Sequence, residues 1–231
     1  MTKNKISELV KDIKEQYLDT EVKDRPLKEL ISWGNSKLGK DISGAYIANF
    51  SMTSAHECPS DFRNMCSISK KCYAKKLEIR WPNVKRYIKE QALYWKHHTS
   101  EEFANEFIAC ITSEHRVIKA LRFNVHGDLK EVGDLLSINT IAEKLKKIKI
   151  VVYLYTKRKD LLILNPSWRD TEQSSNLVIN GSEFMYDNEF TIVNSTEDYI
   201  FDKEHKICQG DCSVCNLCMK KNGYIIQVLK H

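Results

Sequence analysis

Four cysteines, Cys208, Cys212, Cys215 and Cys218, stand within the eleven residues "CQGDCSVCNLC". A set this tight can wrap a single metal centre, and that possibility constrains the fold more than any other feature of the sequence. A second group, Cys58, Cys66 and Cys72 in "CPSDFRNMCSISKKC", lies far upstream. The spacing of the downstream set, x3, x2 and x2, suits an iron–sulfur cube, because successive thiolates must reach different corners of one compact cluster. Zinc is the alternative. It prefers two knuckles separated by a longer stretch, so that two turns approach a tetrahedral ion from opposite sides. Gly210 permits the tight turn that either centre needs. The bland reading is four structural free thiols.

The upstream spacing, x7 and x5, is less specific alone, but the loop follows a predicted first strand and precedes a long helical region. Three cysteines can hold a cubane and leave its fourth iron open to substrate or to S-adenosylmethionine. The bland alternatives are incidental thiols, or ligands shared with the downstream set. Cys110, in "FIACIT", sits on an apolar helical face and reads as a small buried hydrophobe. Cys208, Cys212 and Cys215 also spell CxxxCxxC, but a triplet so near the end of the sequence is not expected to introduce a barrel.

The rest of the sequence says what could carry these groups. Hydrophobic residues make up 42% of the 231, enough for a sizeable core, and 8 Gly with 4 Pro leave little room for linkers. There is no internal repeat. The formal charge of +5 permits an anionic partner without requiring one. The charged start "MTKNKISELVKDIKEQ" does not read as a signal peptide, and no apolar run is long enough to span a bilayer. The expectation is a cytoplasmic protein with no membrane partner. In that compartment eight cysteines point to metal or redox chemistry and not to structural disulfides.

Strand patterns at "GAYIANFSMTS", "VIKALRFNV" and "KIVVYLYT" alternate with helical stretches. Helical spacing links Ile6, Leu9, Val10, Ile13 and Tyr17, then Leu27, Leu30 and Ile31. It returns after Cys72 and again in "DLLSINTIAEKLKKI". Pro82 suits a first helical turn, and Thr99 with Glu102 spells a capping box. Further strands are predicted at "LLILN", "NLVIN", "EFTIVN" and "YIIQVL". This rhythm implies α/β architecture with mainly parallel strands, expected as a partial, truncated TIM-like barrel. The expected parts are an N-terminal helical segment (1–40), an α/β core carrying the first cysteine group (41–200) and a Cys-rich C-terminal segment (201–231). Ligands of parallel sheets gather at the carboxyl ends of strands. Here those ends carry "SMTSAHEC", "NVHGD" and "YTKRKD".

"FSMTSAHECP" with its following cysteines and "CYAKK", then "RFNVHGDL", then "YLYTKR", then a cysteine-rich tail, resemble the phage gene product 88 family over roughly residues 42 to 220. More distantly, the layout is similar to radical S-adenosylmethionine enzymes, which place three cluster cysteines after strand one and a glycine-rich acidic turn after strand two. That resemblance implies one or two 4Fe-4S clusters, an open one on Cys58, Cys66 and Cys72 and an auxiliary one on Cys208, Cys212, Cys215 and Cys218. It also implies cofactor contacts from Arg122, Asn124, His126, Gly127, Asp128, Tyr155 and Thr156, with Asp128 facing the amino group of S-adenosylmethionine and Arg122 its carboxylate. This chain departs from that pattern, since its upstream triplet is not x3, x2 and it is short for a complete barrel.

The bland reading of "HGD" is a turn whose Asp caps the next helix, although Asp134 is better placed for that. His56 reads either as a ligand or as a loop histidine, and Lys157 and Arg158 either as anion contacts or as solvated strand-end charges. Two functions follow. One is an iron–sulfur enzyme, radical S-adenosylmethionine-like or redox, with an unknown substrate and an electron-donor protein. The other is a phage-type nucleic-acid-binding or regulatory module stabilised by zinc or a cluster, in which Trp81, Tyr87, Tyr94 and Trp95 stand beside basic residues.

Overall fold

The computed structural model describes residues 22–34, 41, 43–163 and 168–229. The first predicted helix, through Ile6 and Tyr17, lies outside them. Leu27, Leu30 and Ile31 lie inside, as a single helical turn (Leu27–Leu30) with all three side chains buried.

The strands β1 (Tyr46–Phe50), β2 (Ile118–Phe123), β3 (Val151–Thr156), β4 (Leu177–Ser182), β5 (Asn188–Val193), β6 (His205–Ile207) and β7 (Ile225–Leu229) form one open sheet. Its order is β1-β2-β3-β4-β5-β7-β6, and every strand pairing is parallel. The helices α1 (Tyr73–Arg80), α2 (Pro82–His97) and α3 (Ser100–Ser113) connect β1 to β2, and α4 (Val132–Lys146) connects β2 to β3. Pro82 opens α2, and Thr99 with Glu102 closes the expected capping box on α3.

Because β1 to β4 wind in one direction, their crossover helices fall on one face of the sheet. Alternate strand residues there, including Ala48, Phe50, Leu121, Phe123, Val152 and Leu154, pack on Phe103, Phe107, Leu135, Ile138 and Ile141 in the main core. The intervening residues Ile47, Ala120, Tyr153 and Val178 point the other way. They pack on Met219, Cys212 and Cys218. The opposite face is thus covered by the cysteine-rich segment itself, which forms the crossover from β6 to β7.

One predicted strand differs, and one connection is unusual. The described part of "LLILN", Leu161–Ile163, is not a strand but the end of a short helix, Lys159–Ile163, which buries Leu161 and Leu162. The four consecutive apolar residues of "LLILN" fit a buried strand and a buried helical turn equally well. The β4–β5 connection is far shorter than the dozen residues a parallel crossover usually needs. It works because the two strands overlap only at their tips, pairing Asn180–Ser182 with Asn188–Phe190. No helix among the described residues is long and apolar enough to cross a membrane.

Candidate metal centre

Both cysteine groups line one cavity of about 260 Å3. Cys58, Cys66 and Cys72 reach it from the loop after β1. Cys208, Cys212, Cys215 and Cys218 reach it from the crossover lying on the sheet face. All seven are half-buried and none is in a disulfide, while Cys110 is buried in the helical layer, as its apolar setting implied. Burial pushes the Cys58 thiol up to about 11, with the nearby Asp128 charge adding to it. Burial likewise raises Cys66. Cys218 is pushed up to about 12, first by burial and then by the charges of Cys208, Cys212 and Cys215, against a hydrogen bond from Tyr155. Thiols held so high keep their protons at neutral pH unless a cation replaces them. Among the described residues no group of three or more His, Cys, Asp or Glu side chains stands close enough to share a single ion.

Arg122, on β2, and Asn124, one residue past its end, both line this cavity. The Arg122 guanidinium lies 4.8 Å over the Tyr155 ring, and its Nε is buried without a hydrogen-bond partner. Asn124 sits at φ 58°, is 6% exposed, and leaves both amide atoms unpartnered. A buried donor or acceptor left unpaired costs about 1–3 kcal/mol. Two such residues on one cavity wall mark a place built to receive a polar group.

A family model described as Gene product 88 matches residues 26–219. The chain belongs to that family. No curated protein and no solved structure matches it. The matched span takes in both cysteine groups and nearly the whole cavity wall of this gene product 88 protein.

The remaining expected contacts divide. Gly127, Asp128, Tyr155 and Thr156 line the cavity; His126 does not. The Asp128 carboxylate is filled by four protein donors: Ser60 Oγ at 2.6 Å, Thr156 Oγ1 at 2.6 Å, and the backbone N–H groups of Leu129 and Lys157, each at 2.8 Å. A carboxylate has about four lone-pair sites. Asp128 therefore spends its acceptors tying the cysteine loop to the ends of β2 and β3, where the sequence reading had turned it toward a cofactor amine. His126 turns away from the cavity, placing Nδ1 2.7 Å from Glu78 Oε1, which also accepts the Ala55 N–H. His56 has a buried Nε2 without a partner. Lys157 pairs with Glu183 at 3.2 Å and Arg158 with Asp160 at 2.8 Å, so both strand-end cations are held by carboxylates.

Sequence reasoning missed Glu78 and Lys119. Glu78 is 1% exposed, yet in "YAKKLEIR" it reads as one more solvated helix charge. Lys119 Nζ donates to the carbonyls of Cys212 and Ser213, pinning the cysteine crossover to the sheet. Only the oddity of a lysine inside an apolar strand could have marked it. Of the four aromatics proposed as a nucleic-acid platform, Tyr94 is buried, Tyr87 donates to the Leu30 carbonyl and Trp95 donates to Asp134. Those three belong to the core.

Proposed function

We propose that this gene product 88 protein is an iron–sulfur protein and a redox or radical S-adenosylmethionine-like enzyme, built on an arc of a parallel barrel. The carrying observation is that all seven cavity cysteines, from segments far apart in sequence, share one chamber with the unpartnered Arg122 Nε and Asn124 side-chain amide. Cys58, Cys66 and Cys72 would hold a cluster with one open iron; Cys208, Cys212, Cys215 and Cys218 would hold a fully ligated one. The donor set fits: all-thiolate ligation suits iron–sulfur clusters, and Cys58, Cys66 and Cys218, which burial holds protonated, would ionise in exchange for a cationic centre. Zinc asks for one tight tetrahedron. A cubane binds each thiolate to a different iron, which suits the closely successive Cys208, Cys212, Cys215 and Cys218. The single winding direction of β1 to β5 supports the barrel arc.

A cluster held by Cys58, Cys66 and Cys72 would supply one-electron chemistry to a bound S-adenosylmethionine, given a reducing electron-donor protein. The chain's own residues would prepare that site. Arg122 supplies a fixed cation for a carboxylate, and Asn124 offers one donor and one acceptor beside it. Gly127 and Thr156 bring backbone and hydroxyl to the same wall. Asp128 holds the upstream loop against β2 and β3. Tyr155 shares hydrogen bonding with Cys218, and hydrogen bonds to cluster sulfur are a lever on potential.

Anaerobic purification tests the reading. Brown protein absorbing near about 400 nm, with about eight irons per chain, is expected. Cys58→Ser with Cys66→Ser and Cys72→Ser should leave about half that iron. A change in the paramagnetic spectrum on adding S-adenosylmethionine, lost in Arg122→Met, would support cofactor use. Colourless protein holding zinc would overturn the cluster assignment.

A further inference from the structure

The stretch from Phe62 to Arg86 holds eight lysines and arginines and one acidic residue, Glu78, which is buried against His126. This stretch alone exceeds the net +5 of the whole chain. Arg63, Lys70, Lys71, Lys76, Arg80 and Arg86 are exposed, and none of the six is in a salt bridge among the described residues, although the Arg63 charge reaches Asp160. Lys75 is the contrast, since it pairs with Asp61. Large rings are exposed in the same stretch: Phe62 at 70%, Tyr73 at 55% and Trp81 at 52%. Tyr73, Lys76 and Arg80 fall at i, i+3 and i+7 of α1, which puts them on one stripe of that helix. Trp81 follows at once, with the Arg80 guanidinium 5.3 Å from its ring centre. The stripe begins at the cavity, because Tyr73 lines it together with Cys66 and Cys72.

We infer that this face, the cysteine loop and the outer stripe of α1 ending at Trp81, binds single-stranded nucleic acid. Cations without salt bridges match a phosphate chain, and rings open to solvent match base faces. A duplex hides its base faces. An acidic protein would satisfy the lysines and leave three large rings in water. Exposed rings and cations without salt bridges on one face therefore select the single strand. A strand laid on this face passes the cavity mouth at Tyr73, which brings its bases to the cysteine-lined chamber. The inference needs only the loop and helix, and stands whichever metal the cysteines hold.

The test is fluorescence anisotropy on the purified full-length chain with a labelled oligothymidine of roughly 20 nucleotides, against the matching duplex and a polyglutamate competitor. The single strand should bind best, with affinity falling steeply as salt rises. Lys70→Gln with Lys71→Gln and Lys76→Gln should weaken binding and flatten the log–log salt slope by about 2. Trp81→Ala should weaken binding about 5- to 100-fold and leave the salt slope unchanged, since it removes stacking and no charge. All four side chains are exposed, and unchanged thermal melting will show that the variants fold. Absence of binding overturns the inference. So does a polyglutamate competitor as effective as oligothymidine combined with full affinity in Trp81→Ala, which would assign the face to an acidic protein. Duplex binding equal to single-strand binding would reduce the face to a general polyanion surface and equally overturn it.

Discussion

Gly127 and Gly210 both hold positive φ, 67° and 75°, but for different reasons. A Cβ on Gly127 would lie 1.9 Å from Thr53 Oγ1, the hydroxyl that accepts the Asp128 N–H and donates to the Asp128 carbonyl. At Gly210 the space is open. Gly127→Ala should therefore cost about 2–4 kcal/mol in urea unfolding, adding overpacking to backbone strain, while Gly210→Ala should cost about 1 kcal/mol from the backbone alone. Equal costs would mean that the Thr53 contact is not holding the "HGD" turn. Glu78 gives a pH signature. Burial raises its carboxyl, but the His126 and Ala55 hydrogen bonds and the charges of His126 and His56 together bring it below the usual glutamate value. A depressed folded pKa contributes stability that is present above the unfolded value of about 4.3 and is lost as pH falls through the lower folded value. The stability advantage of the wild type over Glu78→Gln should accordingly shrink between about pH 5 and pH 3. A difference that stays constant over that range would show that Glu78 does not act through its charge. Little of this was legible in sequence. "HGD" stood out as a strand-end turn, but a buried glutamate on a lysine-rich helix has the same local pattern as a solvated one.

At the level of elements, the strands with regular alternation or with a long run apolar on both faces were legible, and so were the helices with caps. "VIKALRFNV" and "KIVVYLYT" became β2 and β3, and the Thr99 box starts α3, where Thr99→Ala should cost about 1 kcal/mol in a thermal melt. What failed was the short apolar run "LLILN", whose described residues Leu161–Ile163 are helical, since length and periodicity do not separate strand from helix there. Also hidden was the way the cysteine crossover attaches. Lys119 binds its backbone at Cys212 and Ser213, and Asn180 binds it at the Cys218 carbonyl, 3.0 Å away. These are contacts from strand side chains to loop carbonyls, which no pattern within the loop announces. Lys119→Met keeps the aliphatic stem but removes the donor. Hydrogen exchange should then speed up in residues 208–218 while β1 to β4 keep their protection. Uniform loss of protection would mean that the lysine supports the sheet and not its cover.

Over the whole molecule, strand–helix–strand rhythm was enough to give parallel strands, because a right-handed crossover leaves few other arrangements. It could not reveal on which face the last crossover lies. The sequence reading set residues 201–231 apart as a cysteine-rich segment, yet β7 lies between β5 and β6, and Met219 with Cys212 and Cys218 covers Ile47, Ala120, Tyr153 and Val178. The boundary at residue 200 therefore runs through a single sheet and its only cover on that face among the described residues. A chain ending at Glu204 would leave the β5 edge unpaired and one side of the central strands in water, an arrangement that invites edge-to-edge association. It should be insoluble, or soluble without a cooperative melt. The full-length chain with Cys208, Cys212, Cys215 and Cys218 all changed to serine separates strand pairing from metal. It keeps β7 and Met219, so its far-ultraviolet dichroism should match the wild type even if its iron is halved. A truncated chain that melts cooperatively would show the tail to be an appendage. Loss of all secondary structure in the tetra-serine chain would show that the centre, and not the sheet, organises this end of the fold.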